Sequence, residues 1–271
     1  MTTAIIGAGV MGETLLAGLL RAGVSKQDLL IADRRIERSA EVTEKHGVSN
    51  GTNQEVVSNA DTVVLVVKPQ DMAIVLGEIS DSIKPGALVV SLAAGITTSF
   101  IENLLPTGTP VIRVMPNTPA LVDEGMAAIS AGSLSSETHL ETAETLLRSV
   151  GQVVLVPEKY QDAITAISGS GPAYIFYVVE AMIEGGVMLG LPRDVANELV
   201  LQTVYGAATM LRETGEHPTV LREQVTSPGG TTVAALRQFD DFKVRAAFLS
   251  AMEAARDRSK ELGIQSPVLL S

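Results

Sequence analysis

Thr2-Thr3-Ala4-Ile5-Ile6-Gly7-Ala8-Gly9-Val10-Met11-Gly12 opens the chain and decides how the rest is read. An apolar run enters a glycine cluster, and an amphipathic segment from Glu13 to Ala22 follows at once. The order strand, tight turn, helix is the G-x-G-x-x-G arrangement that seats a pyrophosphate on a helix N-terminus. Gly7 allows the turn, Gly9 admits phosphate where a Cβ would collide, and Gly12 lets helix and strand lie close. Val10 and Met11 begin the helix, whose first-turn N–H groups and positive dipole end face an anion. The reading expects a dinucleotide here; a plain glycine-rich turn is the alternative.

Working outward, Leu29-Leu30-Ile31-Ala32 reads as a second buried strand ending at Asp33-Arg34-Arg35. Such folds read the adenosine ribose at this point. An acidic residue suits the 2′-hydroxyl of NAD and arginines suit the 2′-phosphate of NADP, so both cofactors stay open. Ile36 to His46 is expected to be helical, with a turn at Asn50-Gly51-Thr52-Asn53. Thr62 to Val67 is almost purely β-branched, as a strand buried on both faces would be. It breaks at Lys68-Pro69-Gln70, where Lys68 is either a cofactor contact or a surface lysine. Leu88 to Leu92 is followed by Ala93-Ala94-Gly95, small enough for close ligand approach. Pro110 to Met115 stops at Pro116-Asn117-Thr118-Pro119, a rigid loop whose Asn117 either bonds a nicotinamide or serves the turn. Gly125–Ser130 and Gln152–Val156 flank a helical segment from Ser136 to Val150 and extend the sheet. The alternation predicts an α/β fold with an N-terminal Rossmann-type, doubly wound parallel sheet.

The pattern changes near Pro157 to Tyr160, dividing the chain into residues 1–157 and 158–271. Asp162–Gly190 is a long apolar stretch interrupted by Ser168-Gly169-Ser170-Gly171-Pro172, and Arg193–Thr214, His217–Val225, Thr231–Phe239 and Phe242–Leu262 read as helices, which makes the C-terminal domain all-α. Several lack a polar face, as in Tyr174-Ile175-Phe176-Tyr177-Val178-Val179, and this predicts a subunit interface. Between them, Ser227-Pro228-Gly229-Gly230-Thr231-Thr232 starts a helix with exposed N–H groups and hydroxyls. It is a cradle for a carboxylate or phosphate, or else an interhelical turn.

Composition sets the outer limits. The 271 residues are 46% hydrophobic, contain no cysteine and carry a net charge of −11. Disulfides and thiolate metal sites are thereby excluded, no other metal site is expected, and a general nucleic-acid binder is disfavoured. No export signal is recognised and no apolar run is read as approaching the ~20 residues of a membrane span, while the absence of cysteine fits a cytoplasmic protein. His46, His139 and His217 lie in polar segments and are read as surface residues.

The motifs together resemble the pyrroline-5-carboxylate reductase family. They are Gly7 to Gly12, Val67-Lys68-Pro69, Met115 to Pro119, Ser168-Gly169-Ser170-Gly171-Pro172-Ala173-Tyr174, Gly190-Leu191-Pro192 and Val225 to Leu236. The resemblance implies a Rossmann domain, a helical dimerisation domain, and hydride transfer from NADPH or NADH to the imine carbon of 1-pyrroline-5-carboxylate, giving L-proline. It also implies a site shared by two subunits of a homodimer that often assembles into a decamer. Carried over residue by residue, Gly7, Gly9 and Gly12 match the pyrophosphate loop, Asn53 the adenosine ribose region, and Lys68 and Asn117 the cofactor pocket lining. Ser227, Gly229, Gly230, Thr231 and Thr232 match the loop holding the substrate carboxylate, and Thr165 a hydroxyl beside the ring nitrogen. A protonated cyclic imine already accepts hydride well, so orientation is needed more than a strong acid. A β-hydroxyacid dehydrogenase would instead need a lysine and an asparagine where Ile175 and Val179 stand, and so lacks its acid/base group. A dinucleotide-binding protein without chemistry leaves the carboxylate cradle unexplained.

Overall fold

The computed structural model describes residues 1–265. Its N-terminal part is built on an eight-stranded sheet. The strands are β1 (Thr3–Ile6), β2 (Leu29–Ala32), β3 (Ser49–Asn50), β4 (Thr62–Leu65), β5 (Leu88–Ser91), β6 (Val111–Met115), β7 (Gly125–Ala131) and β8 (Gly151–Leu155). Their order is β3-β2-β1-β4-β5-β6-β7-β8. The chain steps outward from β1 to β3, then returns to β4 on the other side of β1. The switch point therefore lies between β1 and β4, where open α/β sheets bind ligands. One expectation needs amending: β7 pairs with β6 antiparallel and with β8 parallel, so the last two strands run against the others.

Strand periodicity explains the core. Ile5 and Val64 face one hydrophobic layer with Leu15, Leu16 and Leu147. Ala4, Ile6, Val63 and Leu65 face the other, with Met72, Leu76 and Ile101. Burying each Leu or Ile side chain stabilises by about 1.5–3 kcal/mol, so both sheet faces require helix cover. That cover comes from α1 (Val10–Arg21), α2 (Ile36–His46), α3 (Asn53–Ser58), α4 (Met72–Ile79), α5 (Thr98–Leu104) and α6 (Glu137–Arg148). The helix α3 begins within the expected turn at 50–53. Thr52 caps it, and Glu55 returns the bond to the Thr52 N–H, the S/T-x-x-E box.

After β8 no strand follows among the described residues. The chain continues through α7 (Gln161–Ile164), a π-helical turn at Thr165–Gly169, α8 (Gly171–Met188), α9 (Arg193–Thr214), α10 (Pro218–Gln224), α11 (Thr231–Asp241) and α12 (Val244–Gln265). Packing divides the chain into residues 1–170 with the end of α12 from Ala254, and residues 171–253. Residues 158–170 belong with the sheet because polar groups hold them there. Buried Arg113 of β6 pairs with Glu158 at 3.3 Å, and buried Gln161 donates to Ala128 O and Ser130 Oγ.

The unit 171–253 has little interior of its own. No residue of α8, α10 or α11 is buried, and Phe176, Tyr177, Met188 and Leu189 are between 66% and 82% exposed. The helical run Glu158–Met188 is, by length and composition, long and apolar enough to cross a membrane. This departs from the expectation that no stretch comes near that length, because the polar Ser168 to Pro172 that interrupts the apolar pattern lies within the run.

Candidate active site

The first site forms where β1 and β4 end. A cleft of about 290 Å³ is lined by Gly7, Gly9, Asp33, Arg34, Arg35, Asn53, Val67, Lys68 and Asp71. Of the residues singled out above, Gly7, Gly9, Arg34, Asn53 and Lys68 thus come together. Pro69 starts the short 3₁₀ turn beside them. Gly7 has φ +108°, a backbone that disfavours any other residue. A Cβ on Gly12 would overlap the Gly7 carbonyl oxygen, so Gly12 is a packing requirement. At Gly9 a Cβ would meet nothing within 4 Å, so the space before it is available to a ligand. Gly9 is the N-cap of α1 and offers no side-chain acceptor, which leaves the first-turn donors open to an anion. The residues therefore fit a pyrophosphate.

Asp33 does not present itself as a free ribose acceptor. Its Oδ2 accepts the Ala8 N–H at 2.8 Å, its Oδ1 accepts the Arg35 N–H at 2.9 Å, and its side chain is 9% exposed. Arg34 is 74% exposed, with a loose 3.3 Å contact to Asp71. Asn53 donates to Glu78 Oε2 at 2.7 Å.

Beneath the glycine loop lies an ion cluster. Glu13, in the first turn of α1, accepts from Arg38, from Lys45 at 2.8 Å, and sits 3.1 Å from His46 Nε2. Lys45 first, with His46 and Arg38, brings the Glu13 carboxyl down to about 2 against the cost of burial. His46 is only 13% exposed, which corrects its reading as a surface residue. His139 also has a task, accepting the Ser136 N–H at 3.0 Å in the cap of α6.

Asn117 is fully employed within the fold. Its Nδ2 donates to Ser168 O and Oγ, both at 3.3 Å, and its Oδ1 accepts the Met126 N–H at 2.8 Å. It ties the loop after β6 to the π-helical turn, and lines a small apolar recess with Met11, Leu92 and Met126. Thr165 begins that turn, which is closed by Ser170 N–H to Thr165 O at 2.8 Å. Its hydroxyl donates to Gln161 O at 2.9 Å and keeps its lone pairs as acceptors. Such π turns collect at functional sites. Ala94, half-buried, lies in the loop after β5, where Gly95 approaches the backbone of Gly263 in α12.

The second candidate, Ser227 to Thr232, is built as the pattern anticipates. Gly229 has φ +67°, Gly230 N–H bonds Ser227 O at 3.0 Å, and Gly230 caps α11 without a side-chain acceptor. No acidic residue stands in the first turn of α11. Its opening N–H groups, with the hydroxyls of Ser227, Thr231 and Thr232, can take a carboxylate.

A switch-point cleft with a glycine loop, joined to a helical second unit, defines a dinucleotide-dependent oxidoreductase. Residues 158–262 match the pyrroline-5-carboxylate reductase dimerisation domain, and residues 2–95 the coenzyme F420-dependent NADP oxidoreductase domain. A pyrroline-5-carboxylate reductase of Corynebacterium melassecola is 46% identical over 97% of this chain and 98% of its own. The solved structure of a pyrroline-5-carboxylate reductase from Coxiella burnetii superposes with a TM-score of 0.90 at 38% identity, covering 96% of this chain and 98% of that one. The NADP-bound pyrroline carboxylate reductase of Plasmodium falciparum gives 0.87 at 28% identity, covering 97% and 98%. The chain belongs to the pyrroline-5-carboxylate reductase family.

Proposed function

We propose that this chain reduces 1-pyrroline-5-carboxylate to L-proline, the last step of proline synthesis, with NADPH preferred over NADH. The observation that carries the reading is the pair of helix N-termini, at Gly9 and Gly230, each capped by glycine with no side chain to occupy its donors. One suits a pyrophosphate and the other a carboxylate. A bound reduced nicotinamide supplies the hydride, which adds to the imine carbon as the ring nitrogen ends up protonated. The chain's residues orient. Ser227, Gly229, Gly230, Thr231 and Thr232 hold the carboxylate. Thr165, its hydroxyl proton committed to Gln161 O, accepts a hydrogen bond from the protonated ring nitrogen instead of acting as an acid. Lys68, Pro69 and Ala94 line the cofactor's path, and Asn117 braces it. No strong acid is required, because the iminium is already electrophilic and positioning lowers the barrier by several kcal/mol.

The NADPH preference follows from Asp33 being turned inward to the glycine loop while Arg34 stays exposed at the cleft. Replacing Arg34 with alanine is expected to raise the KM for NADPH roughly tenfold, the value of one charge-assisted bond, with little effect on NADH. An unchanged NADPH to NADH ratio assigns Arg34 to the surface. Thr232→Ala is expected to raise the KM for the pyrroline about tenfold and leave cofactor affinity near wild type. Equal effects on both ligands contradict the assignment.

Residues 158–271 serve as the dimerisation and substrate-binding half, and the partner covering their apolar faces is a second copy of the chain. The cysteine-free composition suits a cytoplasmic enzyme. The purified protein should consume NADPH when given 1-pyrroline-5-carboxylate, with proline as product. No turnover with either NADPH or NADH defeats the proposal.

A further inference from the structure

The geometry points to Arg38 as a positioning residue for the cofactor: it aims the Gly9 N–H by holding the Ala8 carbonyl. The inference rests on the reading of the glycine loop as the pyrophosphate site. Arg38 lies in α2, away from the loop in sequence, yet its Nε donates to Ala8 O at 2.8 Å. The Ala8 carbonyl and the Gly9 N–H belong to one planar trans peptide and point in opposite directions. Fixing the oxygen against α2 therefore fixes where the Gly9 hydrogen points. The preceding peptide is held as well, its Ala8 N–H bonded to Asp33 Oδ2 at 2.8 Å. Both peptide planes around Ala8 are thus set from the β2 to α2 segment. Ala8 itself is buried, and Gly9 lines the cleft. A cationic donor on the carbonyl also polarises the peptide and strengthens the N–H on its far side.

Arg38 performs a second task with its other nitrogens. It binds Glu13 and, at 3.2 Å, Glu41. Glu13 stands in the first turn of the phosphate-facing helix, and Arg38 shares its compensation with Lys45 and His46; a carboxylate left less compensated there would repel the cofactor. Methionine at 38 keeps an unbranched apolar stem but removes every donor, and with them both functions. The two are separable, because in Glu13→Gln/Arg38→Met the repulsion is gone while the carbonyl is still unheld.

The test is NADPH titration and steady-state kinetics on the purified full-length protein with Arg38→Met and with Glu13→Gln/Arg38→Met. Both variants are expected to raise the NADPH Kd about tenfold. The KM for 1-pyrroline-5-carboxylate, and kcat at saturating NADPH, should move far less. If the single variant unfolds, the double variant, in which position 13 no longer carries a charge, carries the measurement. Wild-type NADPH affinity in the double variant overturns the proposal, since Arg38 then acts only by neutralising Glu13. So does wild-type affinity in the single variant. Gly9→Val separates the two levels of failure. If it abolishes NADPH binding while the Arg38 variants bind normally, the clamp alone is wrong. If it too binds normally, the glycine loop is not the cofactor site.

Discussion

Gly9→Val should leave the protein folded and nearly abolish its use of NADPH. Gly9 has φ −65° and ψ −174°, a backbone that valine adopts readily. A Cβ there meets no protein atom within 4 Å, so the thermal transition should stay close to wild type. The same Cβ and its two methyls fill the space that a pyrophosphate must enter to reach the first-turn donors of α1. Losing two charge-assisted hydrogen bonds at ~1.5–3 kcal/mol each raises the NADPH Kd by roughly a hundredfold or more. Gly12→Ala is the contrast. Its Cβ would overlap Gly7 O, so it should lower stability before it touches binding. Titration and a thermal melt on both variants check the pair. Gly9→Val with wild-type NADPH affinity refutes the loop as the cofactor site.

The second large effect concerns assembly. The double substitution Phe176→Glu/Tyr177→Glu is expected to convert a dimer to monomers in sedimentation velocity and to remove activity. Both side chains stand on α8 and are at least 66% exposed in the single chain. Buried against a second copy, each aromatic ring contributes a few kcal/mol; an unpaired glutamate in its place costs several. Two such changes should raise the dimer Kd by roughly three orders of magnitude or more. The wild-type protein should sediment as a dimer or a multiple of it. An unaltered sedimentation pattern in the variant would remove this face of α8 from the interface.

Much of this was legible because the signals are local. The strands β1, β2, β4, β5 and β6 are short apolar runs that only a doubly covered sheet accommodates, and Gly7 and Gly12 report backbone conformation and close packing directly. The helix α9 begins and ends where the pattern says, at Arg193 and Thr214, because Pro192 and Gly215 punctuate it. By contrast α3 hides in a turn signal, since Thr52 and Asn53 suit a cap as well as a loop. The antiparallel pairing of β7 is invisible in its sequence, because strand direction depends on what lies alongside.

At the site the same division holds. The sequence by itself determined where helix N-termini carry main-chain donors with no side chain to cap them, because glycine, proline and helix starts declare main-chain geometry within a few residues. Only tertiary structure decided the assignments of charged and amide side chains. Asp33 turned inward to Ala8, Asn117 became a brace between Met126 and Ser168, and His46 joined a half-buried cluster with Glu13. Arg38 carried no local signal at all. Long side chains act at a distance from their own backbone, so their partners are chosen by folding and not by spacing along the chain.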